Sequence, residues 1–412
     1  MFPGDGNAGR QATATASLDA ESRLLLLLVR REVTPEIEAR RRRLLRDDID
    51  WPRLVAQARA HDVLPLVARQ VRALDAAAVP APVRAELAAG ARMDALRNTL
   101  QAAELVDILR LLGVAGIPVV PLKGPPLAQS LYGDISARVC SDLDVLVPRN
   151  AVARAYDALI AAGYAPGEIG PLDPGDFPIL LDSNIEYPFV RRHGGFTHVL
   201  EVHWSVAWRW RRGAQAMADL WADTRPLRFG GTEAVGLSTE WELLYLAVHA
   251  ARHRWQELKW LADIDAIVAT RTVDWDLVRR KAERFGWALP LAFTLRAAHA
   301  LLETPVPAGF RGHRLPGWFR LLPAEPTGPR ISDALFTVRM FPGVRSKLGY
   351  LAHLLVVPTL AERRLFRLPR GLDVLYYGLR PARLGGKWAW PLLRAAMRSR
   401  GPAARMRARV TP

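Results

Sequence analysis

The run RVCSDLDVLV (138–147) sets Asp142 and Asp144 one residue apart inside an otherwise apolar stretch that reads as a buried strand. On a strand, residues i and i+2 project from one face, here about 6–7 Å apart along the backbone. Two like charges so placed repel unless a cation lies between them. Hard carboxylate oxygens suit magnesium, which binds through one or two carboxylates and fills its remaining positions with water and substrate phosphates. A pair of such ions can activate an attacking hydroxyl and stabilise a leaving pyrophosphate. Leu143, Val145 and Val147 face the other way, into a core. A D-x-D pair alone also fits a strand end that reaches solvent, so the residues before it decide.

PLKGPPLAQSLYGDISARVCSDLDVLV (121–147) reads as a strand, a glycine turn, a short helix and the acidic strand. Helix N-termini attract phosphate through free N–H groups. Pro125 and Pro126 suit a first helical turn but carry no N–H, which leaves Gly124, Leu127 and Ala128 as the chief backbone donors. Lys123 can make up the loss; lysine occurs only five times among the 57 basic residues, so its place at this turn is informative. The P-loop pattern G-x-x-x-x-G-K-[ST] is absent. Arg138 can take a phosphate bidentately or hold the acidic loop by a salt bridge. Ser141 stands directly before the acids.

The run L-K-G-x-x-L-A-x-x-L-Y, Arg138 and then S-D-L-D-V-L-V resemble the bacterial nucleotidyltransferase-like proteins of the DNA polymerase β superfold. DWPRLVAQARAHDVLPL (50–66), LEVHW (200–204) and HAARHRWQELKWLADID (249–265) are similar to that family's other blocks. The resemblance implies a small mixed sheet carrying three carboxylates, two Mg²⁺ ions and a nucleoside triphosphate. Asp142 and Asp144 match the first two acids, and Glu201 in LEVHW matches the third, with Glu186 as the fallback. Lys123, Gly124, Arg138 and Ser141 would bind the nucleotide. Such enzymes usually carry Gly-Ser at the turn where this chain has Lys123-Gly124-Pro125-Pro126.

Other residues could line the cleft. His203 is two residues from Glu201 and would share its face. His249 and His253, four apart, have zinc-capable spacing, but H-E-x-x-H and a third ligand are absent. They read as cleft-lining or structural histidines. Asp263 and Asp265 read as structural, paired with Arg252, Arg254 or Lys259.

The elements that must position these residues follow from hydrophobic period. The fold class is α+β (mixed): a small sheet flanked by helical modules. Residues 1–20 read as a flexible tail and 21–112 as a helical module, with DWPRLVAQARAHDVLPLVARQV (50–71) as two helices broken near Pro65. Residues 113–235 form the α/β core. There IPVVPL (117–122) and VLV (145–147) read as strands, and NIEYPFV (184–190) and FTHVLEVHW (196–204) as a hairpin. In the helical module 236–325, Thr239 and Glu242 fit a capping box that opens one long helix through HAARHRWQELKWLADIDAIVA. A basic helical segment, 326–412, ends the chain.

The net charge of +16 belongs mostly to that last segment: residues 331–412 hold sixteen Lys/Arg against three Asp/Glu, whereas 113–235 hold eleven against thirteen. The core therefore lacks the positive field a polynucleotide acceptor needs, and a small molecule, sugar or peptide is the expected acceptor. The basic segment, with LGYLAHLLVV (348–357), fits a solvated surface, a peripheral contact with the inner face of a membrane or nucleic acid. Cys140 is the only cysteine, which excludes an internal disulfide and fits a cytoplasmic protein. No run reaches the roughly 18 apolar residues of a membrane span. Two further readings share the acidic site: a nucleotide-binding scaffold without turnover, and a phosphoryl transferase.

Overall fold

The computed structural model describes residues 18–206, 213–311, 331–341, 343–369 and 371–386. It divides into two units, Met1–Pro171 with Ile185–Pro342, and Leu172–Asn184 with Gly343–Pro412. The sequence reading of a mixed α+β protein with a small sheet holds.

In the larger unit, five leucines in a row, Leu24–Leu28, end α1 (Ala20–Leu28), and all five are buried, as an apolar run round a whole helical turn must be. Asp19 caps it, accepting from the Ser22 N–H at 2.8 Å. Helices α2 (Pro35–Leu44), α3 (Trp51–Ala60) and α4 (Leu64–Ala73) follow. The break between α3 and α4 comes at Asp62, which has φ 53°, and Pro65 lies in the first turn of α4, where its missing N–H costs nothing. A 34-residue helix, α5 (Ala81–Val114), leads to the sheet.

The sheet holds five strands: β1 (Val120–Pro121), β2 (Leu143–Leu146), β3 (Ala165–Pro166), β4 (Glu186–His193) and β5 (Phe196–His203), in the order β1-β2-β5-β4-β3. Only β2 and β5 run parallel, and the other pairs are antiparallel. The predicted hairpin is present as β4–β5, turned by Gly194 and Gly195 at φ 57° and 77°. Helix α6 (Pro125–Tyr132) joins β1 to the loop before β2, and α7 (Val152–Ala161) follows β2. Leu143, Val145, Leu200, Val202, Tyr187 and Phe189 fill one side of the sheet and are all buried. A second hairpin, β6 (Thr224–Phe229) with β7 (Thr232–Leu237), follows α9 (Gly213–Ala222).

The predicted capping box at Thr239 is not formed. Ser238 caps the helix instead, its Oγ facing the Trp241 N–H, so Trp241 rather than an acid stands at the third position. The single long helix is also two: α10 (Thr239–Arg252) and α11 (Leu258–Thr270). Arg254 and Trp255 between them adopt left-handed φ of 57° and 53°. The buried Trp255 indole donates to Thr294 Oγ1 at 2.8 Å, and this tertiary anchor offsets two strained residues in a run with no Gly or Pro. Helices α12 (Trp275–Phe285) and α13 (Ala288–Leu302) complete the layer behind α10.

The smaller unit contains α8 (Asp176–Ser183), α16 (Gly343–Val356), α17 (Leu360–Leu365) and a terminal helix over 376–386; the short α14 (Ala308–Arg311) and α15 (Ile331–Met340) belong to the larger one. Its hub is Glu362. That carboxylate caps α17 with Thr359 and takes Arg380 at 3.3 Å and Arg383 from the terminal helix. Trp388, Trp390 and the MRARV terminus lie outside the described residues. Among the described residues no helix is long and apolar enough to cross a membrane.

Candidate active site

Strand register assembles the acids. Asp144 on β2 pairs with Glu201 on β5, and His203 on β5 pairs with Glu186 on β4. Because paired residues share a face, the face opposite the apolar core carries Asp144, Glu201, His203 and Glu186 together. Asp142 stands just before β2, its carboxylate joined to that of Asp144 by Lys123.

Lys123 sits between β1 and α6, and the turn that aims it depends on Gly124, whose φ of 82° and ψ of −149° are open to glycine alone. Its Nζ lies 2.9 Å from Asp144 Oδ2 and 3.3 Å from Asp142 Oδ2. Burial works against the ammonium charge, but Asp144 and Asp142 outweigh it and hold Lys123 protonated far above the ordinary lysine range. Burial likewise works against the Asp144 carboxylate, and the Lys123 charge and a hydrogen bond from His203 win, keeping it ionised well below its usual value. Ser141 donates to Asp142 Oδ1 at 3.0 Å.

His203 is the centre of the cluster. Its Nε2 lies 3.0 Å from Asp144 and 3.5 Å from Glu201, and its Nδ1 lies 3.2 Å from Glu186. Burial depresses the imidazolium, yet the hydrogen bonds to Asp144 and Glu201 push its pKa up to about 9. Glu201 moves the other way from Asp144: burial, and then the nearby Asp144 charge, raise its pKa. Glu186 is held low against burial by His203 and by Arg252, whose Nη2 is 3.3 Å away.

Helix α10 closes the site. Tyr245 and His249, four apart on one face, are buried with ring centroids 5.6 Å apart. Tyr245 Oη and His249 Nδ1 have no hydrogen-bond partner among the described residues. Burial, with the charges of Asp144 and Asp142 adding, pushes the Tyr245 phenol up; burial, with the charge of Lys123 adding, pushes His249 well down. His249 is therefore a neutral ring with one unused nitrogen. His253 is the cap of α10, exposed, with its ring 4.6 Å from that of His249.

Arg138 is elsewhere. It is buried, and its Nε bonds Asp263 Oδ2 at 2.9 Å, while Tyr132 Oη donates to Asp263 Oδ1 at 3.0 Å. Asp263 thus pairs with Arg138. The structural alternative read for Arg138, a salt bridge that holds the acidic loop, is the contact it makes. A buried polar row on α5 grips the same loop. Asn98 donates to the carbonyls of Ile135 and Arg138 at 2.6 and 2.7 Å and accepts from the Cys140 N–H at 3.2 Å, and Gln101 donates to the Ser141 carbonyl at 3.2 Å. The sequence reading passed over these two residues and over Tyr245, and it gave Arg252 to Asp263 or Asp265, whereas its Nη2 pairs with Glu186.

Asp144, Glu201 and His203 each offer a ligand atom, and the three atoms lie within 4.8 Å of one another. Asp144 Oδ2 is fully buried, and the Lys123 ammonium 2.9 Å away is its charge partner. Two carboxylates so close together, with a histidine beside them, are a donor set that fits a divalent cation.

Residues 47–303, more than half the chain, match the model of a family described as uncharacterised nucleotidyltransferase. The chain belongs to that nucleotidyltransferase family. No curated protein matches it closely enough to count as a relative. One solved structure it is similar to is described as an antigenic nucleotidyltransferase-like protein from Paracoccidioides brasiliensis, with 15% identity, a TM-score of 0.34, and coverage of 52% of this chain and 96% of that one. The acidic face, β1, β2, β4, β5 and α10 all fall inside the region that matches the family.

Proposed function

We propose that this member of the family transfers a nucleoside monophosphate from a nucleoside triphosphate to a hydroxyl of a small-molecule, sugar or peptide acceptor, with magnesium as its cofactor and a polymerase-β-type sheet as its frame. The observation that carries the reading is the register of β2 on β5, which sets Asp144 and Glu201 side by side beside Asp142. Asp142, Asp144 and Glu201 would hold two Mg²⁺ ions. Bound there, the ions supply charge neutralisation for the triphosphate and polarise its reacting phosphorus.

The chain's own residues do the rest. Lys123, permanently charged and placed by Gly124, offers its ammonium to the triphosphate. Ser141 orients Asp142, and His203 holds Asp144 and Glu201 in one geometry. Tyr245 Oη and His249 Nδ1 supply unused polar atoms on the roof for nucleotide or acceptor. The acceptor oxygen bonds to the α-phosphorus as its link to the β-phosphate oxygen breaks. Pyrophosphate leaves, and the hydroxyl proton passes to a carboxylate of the cluster. Most of the rate gain would come from positioning and from fixed charge.

A second reading has one specific observation in its favour. Lys123 already neutralises Asp142 and Asp144, so a scaffold that binds nucleotide without metal or turnover would keep the same contacts. Phosphoryl transfer at the γ-phosphorus is a third outcome of the same site. Titration of ATP, GTP, CTP and UTP with and without Mg²⁺, beside the Asp142→Ala/Asp144→Ala double variant, separates the first two. Metal-dependent binding that the variant loses supports the transferase. Binding that ignores metal supports the scaffold. Release of ADP in place of pyrophosphate identifies the third.

A further inference from the structure

The smaller unit carries a surface that its own fold does not use. Helix α16 has no buried residue, although one face is apolar: Val344, Leu348, Leu351 and Leu355 recur at the spacing of a helical stripe. Val344 is 72% exposed and Leu348 60%. Leu365, Phe366, Leu372, Val374, Leu375 and Tyr377 add to it, with Val374 at 71%. Among the described residues, eleven of the eighteen exposed large apolar side chains fall in this small unit. Exposed apolar side chains gathered this densely mark an interaction site.

Charge gathers in the same place. The unit's sequence holds fifteen Lys/Arg against five Asp/Glu, a net of +10 out of the chain's +16. Its acids are largely spent internally: Glu362 on Arg380 and Arg383, and Asp173 and Asp176 on Arg363 at 3.0 and 2.7 Å. Arg345 and Lys347 flank the apolar stripe on α16 itself. Seven of the fifteen basic side chains, and none of the acids, fall in residues 387–412.

We propose that this unit docks the enzyme on an anionic lipid bilayer surface, with the α16 stripe entering the headgroup boundary and the basic residues facing the lipid charge. Apolar insertion and electrostatic attraction reinforce one another at such a surface, and neither alone gives firm attachment. The exposed side chains are mostly aliphatic, which suits acyl chains; nucleic acid is gripped by charge together with aromatic stacking. No described helix is both long and apolar enough to span, so the contact proposed is peripheral. The proposal stands apart from the acidic site and from the reaction assigned to it.

The full chain is sedimented with phosphatidylcholine vesicles, with and without phosphatidylserine. It should partition to the phosphatidylserine vesicles alone and come off as salt rises. Leu348→Asp with Leu351→Asp changes only the exposed face and should weaken partitioning more than tenfold with the melting temperature unchanged. Arg345→Gln with Lys347→Gln should weaken it about fivefold for each charge removed. Three results overturn the proposal: no partitioning to either vesicle, partitioning that survives the Leu348/Leu351 variant, or binding of single-stranded RNA or self-association through the stripe in place of vesicle binding.

Discussion

Asp144 and Glu201 are direct partners across the parallel β2–β5 ladder, and the Nε2 of His203 lies 3.0 Å from the first and 3.5 Å from the second. The two carboxylates differ in kind. Asp144 is buried and held ionised, whereas Glu201 is partly open and has its pKa raised. Glu201→Gln keeps the shape and the hydrogen-bonding reach of the side chain while removing one anionic ligand. Folding should survive, because Asp144 and Glu186 still flank His203. Mg²⁺-dependent turnover should fall by more than about 100-fold, the upper end of what misplacing a metal's outer partners costs. Turnover within about threefold of the parent would remove Glu201 from the site.

Lys123→Ala separates the transferase from the scaffold. The substitution leaves Asp142 and Asp144 repelling each other, with Asp144 fully buried, so the free protein should lose on the order of 3 kcal/mol. In the transferase reading Mg²⁺ replaces the missing charge, and thermal melting should recover on adding it while triphosphate affinity stays at least tenfold down. In the scaffold reading Mg²⁺ restores nothing. Differential scanning fluorimetry with and without the ion, beside calorimetric titration of ATP, distinguishes them.

Much of the site's layout could be read from the chain because strand alternation is a strong rule. Strand alternation put Asp142 with Asp144 and Glu201 with His203, the family resemblance put the two pairs in one site, and the structure brings all four together. What escaped lies on helices. Asn98 and Gln101, three apart on α5, have the look of a solvent face, and only the loop folded against them turns them into buried donors. Tyr245 and His249 sit in an apolar run where helical spacing is uniform, so nothing in the sequence says which face meets the acids. The break at Arg254–Trp255 was hidden for another reason: it contains no glycine or proline, and the burial of one tryptophan drives it. Long-range pairs such as Arg138 with Asp263 are settled by packing between elements 125 residues apart.

That pair sets a prediction. Arg138→Gln should destabilise the protein by about 3–5 kcal/mol, the cost of leaving a buried carboxylate without its partner. Arg138→Lys should rescue little, since an ammonium cannot reproduce the planar guanidinium contact. Nucleotide affinity of whatever fraction stays folded should be close to that of the parent. Chemical denaturation and titration of the refolded variant measure the two effects. A variant that melts normally yet binds nucleotide tenfold more weakly would return Arg138 to the phosphate.

Asn98→Ala tests the polar row on α5. It removes the groups that satisfy two carbonyls and one N–H of the loop before β2. Leaving buried backbone groups unpaired costs about 1–3 kcal/mol each, less whatever water recovers. Hydrogen exchange over residues 134–142 should speed up while the β4–β5 hairpin stays protected. Uniform loss of protection would mean that Asn98 supports the whole unit and has no special hold on the acidic loop.

Glu362 gives the smaller unit an acid-sensitive hub. Burial raises its pKa, but the bonds from Thr359, then Arg383 and the charge of Arg380, bring it down to about 2. A carboxylate that binds its proton less readily when folded stabilises the fold above its unfolded pKa of 4.5 and loses that contribution as pH falls towards 2. The contribution is at most about 3 kcal/mol. Proteolysis of the 343–386 region should therefore accelerate between pH 4.5 and about 2 ahead of cleavage in the larger unit. Glu362→Gln should show the faster cleavage already at neutral pH, with no further step on acidification. If the parent and the variant trace the same pH curve, the network around Glu362 does not hold the unit together.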